Sequence, residues 1–214
     1  MKFFIDTANL QEIETALSWG LLDGVTTNPS LMAKEGIKNV EEHYRTIASL
    51  VKGDVSAEVL ELEYEPMLRE AQRLASLAGN IVVKVPFTPD GVRVIKRLKT
   101  LNVRTNCTLI FSAVQALIAA KAGATYVSPF IGRLDDVNHN GVELIEQICL
   151  IYENYGCDTQ VLAASIRSTK HVGDCAVAGA HVATIPFSVM QKLFYHPLTD
   201  LGLAQFVADA KKLA

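Results

Sequence analysis

The chain has 214 residues, and a hydrophobic content of 50% is enough to build a large core in one folded unit. The net charge of −3 gives no nucleic-acid footprint. The longest apolar stretch, around Leu109 to Ala120, contains Ser112 and Gln115 and is too short to span a membrane.

Along the chain, short strand-like runs end in polar residues and are followed by helical patterns. Lys2 to Asp6 precedes a helix over Leu10 to Trp19. Gly24 to Pro29 precedes a loop and then Glu41 to Lys52. Asp54 to Val59 precedes Glu65 to Ala78, and Ile81 to Pro86 precedes Asp90 to Leu101. Val103 to Leu109 precedes Ser112 to Ala122, and Thr125 to Phe130 precedes Val142 to Tyr155. Thr159 to Ser165 precedes Thr169 to Ala178, and His181 to Pro186 precedes Val189 to Tyr195. Such alternation predicts a parallel sheet. About eight units are present, the number that closes a (β/α)8 TIM barrel. Ala122-Gly123-Ala124-Thr125-Tyr126-Val127 is echoed by Ala178-Gly179-Ala180-His181-Val182-Ala183, at the spacing two short βα units give. Gly123 and Gly179 are placed to end helices in the left-handed conformation. A doubly wound open sheet is the rival, weakened because no G-x-G-x-x-G follows the first strand. No linker divides residues 1–214, so one barrel domain is expected, with a C-terminal helix over about 198–214. In that segment Leu203, Phe206, Val207 and Ala210 recur at helical spacing and need a surface to bury them.

Lys84 lies inside the β-branched run Ile81-Val82-Val83-Lys84-Val85-Pro86. An ammonium there loses its water, and burial favours the neutral amine that can attack a carbonyl and form a Schiff base. The alternatives are a lysine that snorkels to the surface or one held in a buried ion pair.

In a barrel the chemistry gathers at the C-terminal ends of the strands. The polar residues expected there are Asp6, Asn28, Glu58, Lys84, Asn106, Thr108, Ser128 and Ser165. Individually they have simpler readings. Asp6 can cap a helix, Asn28-Pro29-Ser30 can be a turn, and Thr108 and Ser128 can satisfy backbone groups. As a ring converging on one mouth they are costly to bury without a purpose. Arg133 after the sixth strand and Arg167 after the seventh, with Ser165, suit a phosphate, unless each arginine makes a surface ion pair.

Metal sites are not expected. Asp136 to Gly141 imitates the first half of a calcium loop, but the bidentate Glu such a loop needs falls on Gln147. His43, His139, His171, His181 and His196 are scattered, without an H-x-x-x-H pair. Cys107, Cys149, Cys157 and Cys175 show no C-x-x-C spacing and read as reduced thiols of a cytoplasmic protein. Because the sequence opens directly on a strand-like run, no signal peptide is expected.

Over essentially its whole length the chain resembles the small transaldolases, a family that also includes fructose 6-phosphate aldolases. The motifs are Phe4-Ile5-Asp6-Thr7-Ala8-Asn9, Gly24-Val25-Thr26-Thr27-Asn28-Pro29-Ser30-Leu31, Val83-Lys84-Val85-Pro86, Asn106 to Ser112, and Tyr126 to Arg133. The resemblance implies a (β/α) barrel, Schiff-base transfer of a dihydroxyacetone unit between sugar phosphates in the pentose phosphate pathway, no metal and no organic cofactor. It implies Lys84 as the Schiff-base lysine, Asp6 as the proton carrier at the C4 hydroxyl, and Glu58 with Thr108 holding a proton-shuttling water. Asn28, Asn106 and Ser128 then hold the dihydroxyacetone hydroxyls, and Arg133, Ser165 and Arg167 the phosphate. Aldolase members carry Gln, Ala and Tyr where this chain has Glu58, Ser128 and Phe130, so the resemblance favours a transferase over a lyase. A non-catalytic sugar-phosphate-binding barrel is the remote alternative, disfavoured because Lys84 and Asp6 are both present. The resemblance also implies a homo-oligomer, a decamer of two pentamers, whose C-terminal helix reaches a neighbouring subunit.

Overall fold

Eight short runs, half of them rich in β-branched residues, form strands whose side chains alternate between two buried faces. They are β1 (Lys2–Asp6), β2 (Gly24–Thr26), β3 (Asp54–Glu58), β4 (Ile81–Pro86), β5 (Thr105–Ile110), β6 (Tyr126–Pro129), β7 (Gln160–Ala163) and β8 (Val182–Ile185). In the computed structural model, which describes residues 1–213, all neighbours pair in parallel and β8 returns to β1, closing the barrel in chain order. The predicted TIM barrel is therefore observed, and the open-sheet rival is not.

The helices are α1 (Leu10–Ser18), α2 (Pro29–Lys34), α3 (Val40–Leu50), α4 (Tyr64–Ala75), α5 (Pro89–Thr100), α6 (Ala113–Ala122), α7 (Ile131–Asp135), α8 (Gly141–Tyr155), α9 (Thr169–Val177), α10 (Phe187–Lys192) and α11 (Pro197–Ala210). The larger apolar cluster fills the space between barrel and helices, with Ile5, Val25, Val55, Val83 and Val85 pointing outward into it. A smaller cluster fills the barrel interior with Phe4, Val82, Tyr126, Leu162 and Val182. Gly24 is required there: a Cβ on it lands 2.6 Å from the Phe4 ring.

Local chemistry explains where the elements depart from the predicted ones. Residues 29–34 were expected as loop, yet they form α2. Asn28 caps it by accepting from the Leu31 N–H at 2.9 Å, and Pro29 occupies the first turn, where its missing N–H costs nothing. The short α7 follows β6 directly, inside the segment expected to hold a phosphate. Gly123 ends α6 at φ 92°, and Gly179 follows α9 at φ 86°, so the sequence echo marks two left-handed helix ends. Helix α11 starts at Pro197, one residue from the expected start, with His196 capping it by accepting from the Leu198 N–H. None of its residues is buried, and Leu198, Leu201, Leu203, Phe206 and Val207 are all exposed. Leu203, Phe206, Val207 and Ala210 share one face of α11 as expected, and Leu198 and Leu201 add apolar surface on another face. No helix among the described residues is long and apolar enough to cross a membrane.

Candidate active site

Register sets the central layer of the site. Lys84 on β4 is aligned with Glu58 on β3 and with Asn106 on β5. Its side chain points into the barrel and the residue is 5% exposed. The amine Nζ donates to the Thr27 carbonyl at 3.1 Å and lies 3.0 Å from Glu58 Oε2. The amine does not snorkel out; it is held in a buried ion pair at the mouth. That contact is Coulombic, because Glu58 Oε2 has no aligned hydrogen-bond donor among the described residues. The Thr108 hydroxyl, on the next strand but one, is buried and equally unpartnered among them. Buried polar atoms are normally satisfied, so these two are the atoms best placed to bind a water or a substrate oxygen. A bulge between Cys107 and Ile110, with Leu109 at φ 60°, disturbs β5 beside Thr108, a device common next to active sites.

Across the mouth, Asp6 ends β1 in register with Thr26. Thr26 Oγ1 donates to Asp6 Oδ1 at 2.8 Å and lies 2.5 Å from Thr184 Oγ1. A hydroxyl has one proton, so Thr184 must donate to Thr26 when Thr26 donates to Asp6. Burial raises the Asp6 carboxyl above its usual range. The Lys84 charge and the Thr26 hydrogen bond oppose that shift, and the Glu58 charge adds to it. A carboxyl poised in this way can both take and return a proton.

Deeper in the barrel, Ser128 Oγ donates to Asn106 Oδ1 at 2.7 Å, and Asn106 Nδ2 donates to Ser56 Oγ at 3.3 Å. This chain fixes the Asn106 amide and leaves Ser128 facing the cavity. Asp6, Asn28, Lys84, Ser128, Phe130, Arg133 and Ser165 line one cavity of about 110 Å³, together with Thr26, Ala164 and Thr184. Glu58, Asn106 and Thr108 are not part of that lining, and Glu58 lines a separate cavity of about 730 Å³ with Tyr44. Arg133, in α7, lays its guanidinium over the Phe130 ring at 4.7 Å. Ser165 reaches the cavity from a left-handed backbone, φ 60°. Arg167 is placed differently. Its guanidinium donates to Asp136 at 2.7 Å in an exposed pair, outside the cavity lining, which is the surface ion pair considered as its alternative. Gly132 permits this packing, since a Cβ there meets the Ser165 carbonyl at 2.2 Å and the Arg167 stem at 2.8 Å.

The stretch resembling half a calcium loop has other work. Asp136 holds Arg167, Asp135 accepts from the Gly141 N–H, and Asn140 caps α8. The Cys107 and Cys175 thiols are pushed up to about 12 by burial, which suits packing more than reaction. Thr26 and Thr184 escaped the sequence reading. The signal was available: each is a polar residue near the end of an apolar strand, as Ser128 is.

Residues 3–214 match the family model described as transaldolase/fructose-6-phosphate aldolase. A probable transaldolase of Phocaeicola vulgatus is 59% identical over 216 residues, covering 100% of this chain and 99% of the relative. A probable transaldolase of Bacillus cereus is 56% identical over 212 residues, covering 99% and 98%. Among solved structures, thiamine phosphate pyrophosphorylase from Pyrococcus furiosus superposes with a TM-score of 0.61 over 88% of this chain and 87% of its own. At 15% identity it shares the fold alone.

Proposed function

Because this chain belongs to the transaldolase/fructose-6-phosphate aldolase family, we propose that it transfers a dihydroxyacetone unit through a Schiff base on Lys84. The donor is a ketose phosphate, sedoheptulose 7-phosphate or fructose 6-phosphate. The acceptor is an aldose phosphate, glyceraldehyde 3-phosphate or erythrose 4-phosphate, as in the pentose phosphate pathway. The observation that carries the reading is the buried Lys84 amine, held between the Thr27 carbonyl and the Glu58 carboxylate, with Asp6 on the opposite rim.

The amine adds to the C2 carbonyl, and loss of water gives an iminium. Glu58 and Thr108, through their unpartnered oxygens, hold the water that carries protons in this step. Asp6 takes the proton from the C4 hydroxyl. The C3–C4 bond breaks, its electrons move to the iminium, and an enamine remains on Lys84 while the aldose leaves. The enamine carbon then attacks the acceptor aldehyde, Asp6 returns the proton to the new alkoxide, and water hydrolyses the iminium. Asn28, Asn106 and Ser128 hold the hydroxyls of the transferred unit. Arg133 and Ser165 face the cavity and bind the phosphate. Arg167 joins them by exchanging Asp136 for that anion, which places remote binding energy behind the orientation of the reacting carbons.

Phe130 favours transfer over release. Its phenyl ring, against Arg133 and 5.7 Å from Phe111, has no hydroxyl with which to reorient the hydrolytic water. The covalent enamine therefore waits for an acceptor. Incubation with fructose 6-phosphate should give glyceraldehyde 3-phosphate beyond one equivalent per site only when erythrose 4-phosphate is added. Free dihydroxyacetone formed as fast without acceptor overturns transfer in favour of the lyase. The undocked, apolar α11 supports a homo-oligomer of two pentameric rings, and removing residues after Pro197 should lower its mass in light scattering. We place the enzyme in the cytoplasm.

A further inference from the structure

The site rests on a gap in the barrel wall. Strand β2 ends at Thr26 while β3 runs on to Glu58. The Val59 N–H donates to the Lys84 carbonyl on the β4 side, so the Glu58 N–H points toward the β2 side. No β2 residue remains in register there. An unpaired buried N–H costs free energy comparable to a lost hydrogen bond.

The phenol of Tyr44 closes this gap. Tyr44 comes from α3 and is 2% exposed. Its oxygen accepts the Glu58 N–H at 3.2 Å. The one proton of Thr27 Oγ1 goes to the Ser56 carbonyl at 3.1 Å, so the Tyr44 O–H donates to Thr27 Oγ1 at 3.3 Å. Burial raises the phenol above its usual range, so it stays a neutral O–H. One hydroxyl thus touches both residues that hold the amine: Thr27, whose carbonyl accepts from Lys84 Nζ, and Glu58, whose carboxylate faces it.

We propose that the Tyr44 hydroxyl is a positioning group for the Schiff-base step, fixing the Thr27 carbonyl and the Glu58 carboxylate around the Lys84 amine. The inference rests on the aldolase-type reading above. It deepens that reading by assigning a residue in the helical shell a part in orienting the nucleophile. Tyr44 touches neither the lining of the Lys84 cavity nor the amine, so its effect passes through its two partners.

The test is Tyr44→Phe, which keeps the ring and removes the oxygen, with Thr27→Val and Thr27→Ser as companions. The whole oligomeric protein is used. Borohydride trapping with fructose 6-phosphate, located by mass spectrometry, reads Schiff-base formation, and steady-state kinetics reads kcat and KM separately. The expected result is a loss in trapping rate and kcat of roughly tenfold for Tyr44→Phe, with KM changed less than twofold. Thr27→Val should behave alike, Thr27→Ser should retain the rate, and the Tyr44→Phe/Thr27→Val double variant should fall little below the worse single one. Unchanged trapping by Tyr44→Phe, or losses that multiply in the double variant, overturn the inference while the unaltered protein still traps on Lys84. If Tyr44→Phe does not assemble, the contrast between Thr27→Val and Thr27→Ser decides: equal rates overturn it. No trapping on Lys84 in the unaltered protein overturns the aldolase-type reading and this inference together.

Discussion

Strand β3 carries two inward carboxylates, one at each end of the barrel, and they are treated in opposite ways. At the start of the strand, Asp54 accepts from the Tyr126 hydroxyl at 2.8 Å and pairs with Arg104, which also donates to the Gly79 carbonyl at 3.2 Å. Burial, and then the bond to Asp54, hold the Tyr126 phenol far above its usual range, so it remains a donor. At the end of the strand, Glu58 faces Lys84 with one oxygen left without an aligned donor among the described residues. A satisfied charge network holds a shape; an under-satisfied one retains capacity to bind or move a proton. The same residue class on the same strand is therefore fully paired at one end and, at the other, left with the free oxygen that the proposed chemistry uses.

The comparison breaks most sharply at Lys84. Lys84→Arg keeps a cation beside Glu58 but removes the proposed nucleophile, because a guanidinium stays protonated. Turnover should fall by on the order of 10³-fold or more, and borohydride should leave no reduced adduct. Stability should change far less than activity. An adduct found on another lysine of the unaltered protein places the chemistry elsewhere and removes the functional half of the contrast.

The other half is probed at the closed end. Tyr126→Phe removes a hydrogen bond to a charged, part-buried acceptor and should cost about 1.5–3 kcal/mol in urea unfolding. It lies a barrel's depth from the amine, so kcat should stay within about twofold. A large loss of kcat with unchanged stability would mean that the two ends are not separate in function.

How much of this was legible in the sequence depends on whether one strand or several must be read. The eight strands, the barrel and the polar ring were readable because each strand states its own alternation and its own polar end. Lys84 stood out because a β-branched run is a costly place for an ammonium. Helix α2 was missed because six residues carry too little periodicity, although Asn28-Pro29 is a start signal. The Arg167–Asp136 pair, the link from Tyr44 to Thr27 and Glu58, and the Asp54–Tyr126 contact join residues far apart in the chain. No local pattern encodes such contacts. They follow from closure of the barrel.

The smallest expected effect sharpens the comparison at Asp6, where the mouth bears an energetic cost that the closed end does not. Burial raises the Asp6 carboxyl above its unfolded value of about 3.9. A group shifted in this direction supports the fold fully below the unfolded value, and that support is lost as pH rises through the folded one. Above that window the ionised Asp6 weighs against folding. Asp6→Asn keeps an acceptor for Thr26 Oγ1 without the charge. Whatever it does to the proposed transfer, its effect on the fold should be small and positive, raising stability at pH 8 relative to the unaltered protein. The gain should shrink as the pH is lowered toward 4, because the raised carboxyl takes up its proton more readily in the folded chain than in the unfolded one. Urea midpoints for both proteins at the two pH values, taken at one protein concentration because assembly contributes to stability, measure the difference. Equal gains at the two pH values would show that Asp6 is not strained by burial, and that the mouth is as well compensated as the end held by Asp54.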